Sequence, residues 1–582
     1  MKETDHQVKK PMSEKKLNLV ICWHMHQPWY REAIDGDFRL PWVYLHALKD
    51  YADMASHLEA HPHMKCVVNF TPVLLEQIDD YASECQHWLK TQEPFSDPLL
   101  NYLCGNTAIP ADAESRLELI RACLRAHAPQ MIDPFPAFRR LVNIATSDPD
   151  QAVLKKHRIS YLNDQYFYDL LTWYHIAWLG YSVKQLPVIQ DLIEKGRNFS
   201  EEDRIQLIGV FDNIFGSLIE RYRRLADRDQ VELSMTPYAH PIVPLLLDFD
   251  SLHDALPEAP APASAAYPGG EQRSHWHLEY GIEVFEKFFH RRPQGVWLSE
   301  GAVSKDAVAL LDKFDIKWTA SGEGVWNNSS YLSGIDVNNP ETRQSLFRCN
   351  QLPDINTRLF FRDDGLSDLI GFEYQSWNAD DAAADFLNHI ANIASFLEHA
   401  PGDHVVSVIL DGENAWEYYP DNGYHFLNAL YGALADNEHF SLQTFAEAAA
   451  VCPPVELPRM CAGSWVYGSF STWIGEEDKN RGWDLLVEAK QAYDKNIDKL
   501  SKAEQKLARL QLAICEGSDW FWWFGDYNPA DSVRDFDNLY RLQLQRLYHL
   551  IKLPPPESLS AQISEGGGSA ENAGTMRRGH AE

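Results

Sequence analysis

GVWLSEGAVS, residues Gly295–Ser304, is the stretch on which the reading of this chain turns. Its apolar start, Gly295 to Leu298, reads as a short buried parallel strand, and Lys305–Lys313 follows with helical spacing. Glu300 therefore stands where a strand ends. In α/β barrels reacting groups gather at that end, because the loops there vary while the strands hold position. A second stretch repeats the arrangement: in VVSVILDGENAWEYY the β-branched run Val405–Leu410 ends on Asp411. Trp297 and Trp416 lie beside the two acids in sequence. Paired carboxylates with aromatic neighbours suggest glycoside chemistry, in which one acid attacks and the other transfers a proton. Taken singly, either acid reads equally as a helix cap or as the partner of an arginine.

Working outward, the pattern is that of an α/β protein. Leu17–Trp23 is a strand stopped by Pro28, and Lys65–Phe70 is a second, followed at once by Thr71-Pro72 as a helix start. From about 84 to 227 the spacing is helical, including the Tyr- and Trp-rich run 161–180, which reads either as a cleft wall or as an ordinary helical core. The strand pattern resumes at Val231–Met235. A Pro- and Ala-rich loop, 255–270, and a helix, Ser274–His290, lead into the Glu300 stretch. Strand-like runs near 17, 65, 231, 295, 316, 370 and 405 predict an incomplete (β/α)7 barrel over 17–450, with the helical insertion inside it. Residues 451–553 turn to long helices, notably Arg481–Ala513, and read as a C-terminal helical domain completing the cleft. The charged N-terminus, 1–16, and the Gly/Ser-rich tail, 554–582, read as disordered.

A chain of 582 residues can bury a large core and carry more than one domain. Its 52 basic against 84 acidic residues give a net charge of −32, which argues against nucleic acid or an anionic membrane surface as partner. Neutral substrates remain open, and 18 tryptophans offer faces on which sugar rings pack, as well as core. Nine cysteines with no CxxC pair fit free thiols in a reducing compartment. With no apolar leader before Leu17 and no run long enough for a membrane span, a cytoplasmic protein is expected. Oligomeric state is not legible.

His24-x-His26 puts two imidazoles on one side of an extended strand exit, since side chains alternate with period two. With Gln27 they could bind sugar hydroxyls. With His240 and a carboxylate they could equally hold a divalent metal, so a metal-dependent hydrolase or deacetylase using His24, His26 and His240 is a competing reading. EGSDWFWWFGDYN (516–528) packs five aromatics in a row between acids. Asp519, Trp520 and Trp523 could face a cleft, or the run could plug the C-terminal helices onto the barrel.

As a set, these stretches resemble glycoside hydrolase family 57. HMHQP (24–28), VELSMTPYAHPI, GVWLSEGAVS, LDGENAWE and EGSDWFWWFG are similar to the family's five signature regions and occur in family order. The resemblance implies a (β/α)7 barrel with a helical C-terminal domain. It also implies a retaining mechanism on α-glucans such as starch or glycogen, with Glu300 as nucleophile and Asp411 as acid/base. On the same ground His24, His26, Gln27, Tyr238, His240, Trp297, Glu413, Trp416, Asp519 and Trp523 are expected to bind substrate, with no cofactor and no metal. LDGENAWEYY and SDLIGFEYQSW look most like the α-amylase and amylopullulanase group, acting on α-1,4 and α-1,6 bonds. 4-α-Glucanotransferase and glycogen branching enzyme are the alternatives in the same family. The pair's carboxyls, 111 positions apart, are expected about 5–7 Å from each other.

Overall fold

The computed structural model describes residues 16–148, 153–154, 156–435, 437, 439–568 and 575–578. Its centre is a set of short parallel strands: β1 (Leu17–Met25), β2 (Cys66–Phe70), β3 (Val231–Met235), β4 (Trp318–Ser321), β5 (Arg358–Phe361), β6 (Val405–Asp411) and β7 (Phe440–Leu442). They are buried along nearly their whole length, as expected for strands covered by helices on the outside. One sheet carries β2 between β1 and β3, with β6 and β7 also paired to β1. A second joins β4 to β5, with the two-residue strands Asn350–Gln351 and Val455–Glu456 beyond them.

Register, more than strand length, positions the site. Asp411 pairs with His24, His24 with Asn69, and Asn69 with Ser234. In parallel strands, side chains at matched positions point the same way. These four therefore form one layer at the C-terminal ends of four strands.

Two expected strands are corrected. The run near 295 contributes only single bridges, Met235 to Val296 and Gly295 to Trp318, which link the two sheets. Gly295 is needed there because an added Cβ would meet the Trp318 ring at 1.9 Å. The run near 370 is helical, Asp364–Asp368 continuing into Leu369–Glu373, and the strand lies earlier, at Arg358–Phe361. Asp363 is the reason: its carboxylate accepts from the Leu366 amide and caps a helix where the apolar spacing alone suggested a strand.

Helices fill most of 84–227, the longest being Glu201–Asp227, with one small antiparallel pair, Thr146–Asp148 with Val153–Leu154. Asp164–Ala177 is buried on almost every side, so the Tyr/Trp-rich run is mainly core. The single long helix expected over 481–513 is two, Glu477–Asn496 and Lys502–Cys515, because Ser501 and Glu504 form a capping box that starts a new one. The N-terminal residues 1–15 lie outside the described residues. The tail differs from its composition: within 554–568, Leu559, Ile563 and Ser564 are buried, and the Ile563 amide donates to Asp537. Among the described residues no helix is long and apolar enough to cross a membrane, and all nine cysteines are free and buried.

Candidate active site

A cavity of about 830 Å³ opens at the strand ends, and both Glu300 and Asp411 line it. Asp411 arrives as the last residue of β6, and its Oδ2 accepts from Asn414 Nδ2 at 2.9 Å. Burial pushes the Asp411 carboxyl up to about 6. Glu300 sits on a tight turn with φ 59° and ψ 23°, a left-handed conformation unusual for a residue with a Cβ. The turn is held from outside: the Trp465 amide donates to Glu300 O at 3.1 Å, and the Trp465 indole Nε1 to Glu300 Oε2 at 3.0 Å. Burial, then the charges of Asp411 and Asp519, raise the Glu300 pKa well above the usual range, while the Trp465 bond acts the other way. The two carboxyls thus interact, and the repulsion falls on Glu300.

His24 and His240 are hydrogen-bonded to each other, and His26 stacks on His240. His24 Nδ1 lies 2.7 Å from Asn69 Oδ1, which also accepts from the Thr236 hydroxyl, so His24 donates there and its Nε2 is a bare acceptor. His240 Nε2, 3.2 Å away, must then carry a proton, which leaves His240 Nδ1 to accept from Ser518 Oγ at 2.7 Å. Burial, followed by the neighbouring His26, lowers His24 to about 3, and burial with both other imidazoles holds His240 well below the usual histidine range. Both rings are therefore neutral at ordinary pH. His26 reaches Asp519 through Nε2 at 2.8 Å and Thr71 through Nδ1 at 3.0 Å. His240, itself at φ 59°, brings Nδ1 within 3.9 Å of Glu300 Oε1.

One donor atom each from His26, His240 and Asp519 lie within 4.8 Å of one another, close enough to hold a metal ion. The His26 and His240 rings stack at 3.7 Å and 17°, so their in-plane lone pairs run side by side instead of converging on one point. That geometry suits a hydrogen-bonding wall better than a metal centre.

Of the residues singled out in the sequence, His24, His26, Gln27, Glu300, Asp411, Glu413, Asp519 and Trp523 line the cavity. His240 stands just behind it. Glu413 is almost wholly buried and braces the HMHQP turn, accepting from the His26 amide at 3.1 Å and from Gln27 Nε2 at 3.4 Å. Three others are placed away from the cavity surface. Tyr238 turns outward to Glu76 at 2.6 Å. Trp297 is fully buried against Trp465, and Trp416 packs on Trp23 and donates to Gly412 O. Trp520 also leaves the cleft, stacking on Tyr540 in the helical core, so the aromatic run serves as plug and wall at once.

Sequence reasoning missed Trp465, Trp522, Arg362 and Trp42, which line the cavity, as does Trp178 from the Tyr- and Trp-rich run that reads as cleft wall or core. Trp465 lies in AGSWVYGSF, where glycines and serines around aromatics mark a built loop. Tyr467 and Gly468 both have positive φ there. Arg362 is held by Asp364 at 2.5 Å and Asp368 at 2.8 Å, and lies over the Trp465 ring.

The sequence profile of glycosyl hydrolase family 57 matches residues 20–460, a span that includes both acids and the histidine cluster. The chain belongs to that family. Its fold is similar to that of family 57 enzymes of known structure. A branching enzyme from Thermococcus kodakaraensis superposes with a TM-score of 0.56 at 14% identity, over 92% of this chain and 90% of that one. A branching enzyme from Pyrococcus horikoshii gives 0.53 at 16% identity, over 97% and 100%. The α-amylase AmyC from Thermotoga maritima gives 0.55 at 13%, over 92% and 93%. As a member of glycosyl hydrolase family 57 the chain is an enzyme of glycosidic bonds.

Proposed function

We propose that this family 57 enzyme is a retaining hydrolase of α-glucans, with Glu300 as nucleophile and Asp411 as acid/base. The observation that carries the reading is the meeting of two mutually repelling carboxyls in one aromatic-walled cavity. A retaining mechanism needs one ionised and one protonated carboxyl about 5–5.5 Å apart. In the empty cleft burial and repulsion favour the shared proton on Glu300. As the glycosidic bond lengthens, positive charge grows at the anomeric carbon beside Glu300 and favours its anion, so the shared proton passes from Glu300 to Asp411, which delivers it to the leaving oxygen. Attack by Glu300 gives a glycosyl ester. Asp411, now a base, takes a proton from water, and the ester is hydrolysed. Neutral His24 and His240, with their proton positions set by Asn69 and Ser518, flank the acids without adding a competing charge.

The fold reading behind this is a seven-segment barrel. β1, β2, β3, residues 295–296, β4, β5 and β6 follow one another through ladders and single bridges, and the Arg362 to Ser407 bridge leads from β5 back to β6. Residues 451–553 add helices that bring Trp522 and Trp523 to the cavity. A cytoplasmic location fits the nine free thiols.

Transfer to a second glucan, as by a branching enzyme or 4-α-glucanotransferase, is the second reading. It is favoured by the indoles of Trp42, Trp178, Trp465, Trp522 and Trp523, which can seat an acceptor sugar where water would otherwise attack. Incubation with amylose, pullulan and glycogen, followed by product sizing and branch analysis, separates the readings. Hydrolysis yields new reducing ends, and transfer yields altered chain lengths or branches without them. If none of the three glucans is changed, the substrate assignment falls. Loss of activity after exhaustive chelation, restored by a divalent metal, would instead revive the metal-dependent reading through His26, His240 and Asp519.

A further inference from the structure

Residues Thr575–Arg578 reach the cleft from the far end of the chain. Thr575, Met576 and Arg577 line the same cavity as Glu300 and Asp411. The Arg577 guanidinium lies over two aromatic faces, 4.0 Å from the Tyr527 centroid and 5.0 Å from that of Trp522. On the other side, Met576 is buried near Gly371, and Arg578 pairs with Glu373 at 2.9 Å while lying over Phe372. The segment is therefore seated at two places on the cavity rim, 522–527 and 371–373.

The seat is a light one. The ion pair between the half-exposed side chains of Arg578 and Glu373 holds weakly, and salt screens it. Among the described residues Arg577 Nη2 is buried without a hydrogen-bond partner, which destabilises the seated state. The face of Trp522 that Arg577 covers is a flat apolar surface at the cavity wall, of the kind on which a pyranose ring packs. The charge of Arg577 also reaches Glu300, so the segment lies near the reacting pair and not at a remote edge.

We infer that Thr575–Arg578 is a strap closing one end of the cleft, and that Arg577 occupies the aromatic seat a further glucose unit of a longer α-glucan would take. Resting on the α-glucan reading above, this makes Arg577 a determinant of chain-length preference. Short oligosaccharides fit with the strap in place, whereas longer chains must first displace it, which lowers their apparent affinity by the fraction of molecules in which it is lifted.

Two variants test this: a chain lacking residues 569–582, and Arg577→Ala in the full chain. The ratio of kcat/KM for amylose to that for maltotriose is expected to rise about tenfold in both. A ratio unchanged or lowered in the folded variants overturns the strap. A second readout needs no substrate. Hydrogen exchange of peptides spanning 520–528 and 371–374 is expected to quicken in Arg577→Ala, and unchanged exchange shows that Arg577 holds no seat. Should the full chain cleave no α-glucan, the functional reading fails on that result, and the exchange measurement still decides whether the strap exists.

Discussion

The two acids of the cleft reach it by opposite routes. Asp411 is the end of a seven-residue strand bonded to β1 along its length, and its backbone is ordinary β structure. Glu300 follows no regular strand. Its neighbours form single bridges, its own φ is 59°, and its turn is fixed by Trp465, 165 positions away. A strand end is a rigid mount that costs nothing special to make. A left-handed glutamate costs of the order of 1 kcal/mol in backbone strain, and persists only because surrounding contacts over-determine it. The chain therefore holds one acid by local structure and the other by tertiary contacts, and the second is the more vulnerable.

The largest test treats both acids alike. Glu300→Gln and Asp411→Asn should each lower kcat by about 10³-fold or more with the fold intact by circular dichroism. Near-normal turnover in either would break the pairing itself.

A finer test removes one supporting bond from each. Trp465→Phe takes an N–H from Glu300, a bond to a charged group worth about 10- to 100-fold in rate. Asn414→Ala takes the corresponding donor from Asp411. The productive cleft carries one proton between the two acids, so kcat/KM is expected to rise as pH rises through about 6, where Asp411 gives up the second proton, and to fall at higher pH, where Glu300 loses the last. The Asn414 bond favours the ionised form, so its loss holds the Asp411 proton to higher pH and moves the acid limb upward. Trp465→Phe instead raises the Glu300 pKa and moves the alkaline limb upward, with the larger loss of rate. Identical profiles from pH 4 to 9 for the two variants would show that the carboxyls are not separately supported.

The smallest effect is on stability. Glu300→Gly should stabilise the fold by about 1 kcal/mol, since glycine accepts positive φ and one buried repelling carboxyl is gone. Asp411→Gly puts a residue of greater backbone freedom into a strand and should destabilise by a similar amount. Urea unfolding reads both, and a loss of stability in Glu300→Gly would argue against strain at that turn.

Much of this was legible beforehand. β1, β2, β3 and β6 are short β-branched or apolar runs stopped by polar or aromatic residues, and buried parallel strands have that composition whatever surrounds them. The acids and histidines stood out because such groups are costly in apolar surroundings unless they have work or partners there. The helix at 364–373 was misread because one capping carboxylate, Asp363, outweighed an apolar run. Trp297, Trp416 and Tyr238 are expected at the cleft, yet their rings turn to Trp465, Trp23 and Glu76.

By itself, then, the sequence determined the parallel α/β class, the ends of β1, β2, β3 and β6 and two candidate acids, all of which follow from patterns within a few residues. Only the tertiary structure decided what supports them. Trp465 on Glu300, Asn69 and Ser518 on the histidines, and Arg577 on Trp522 each join residues remote in sequence, where no local periodicity records the contact. Their pairing depends on strand register and on helices folding back over the cleft, and those are set by the packing of the whole chain.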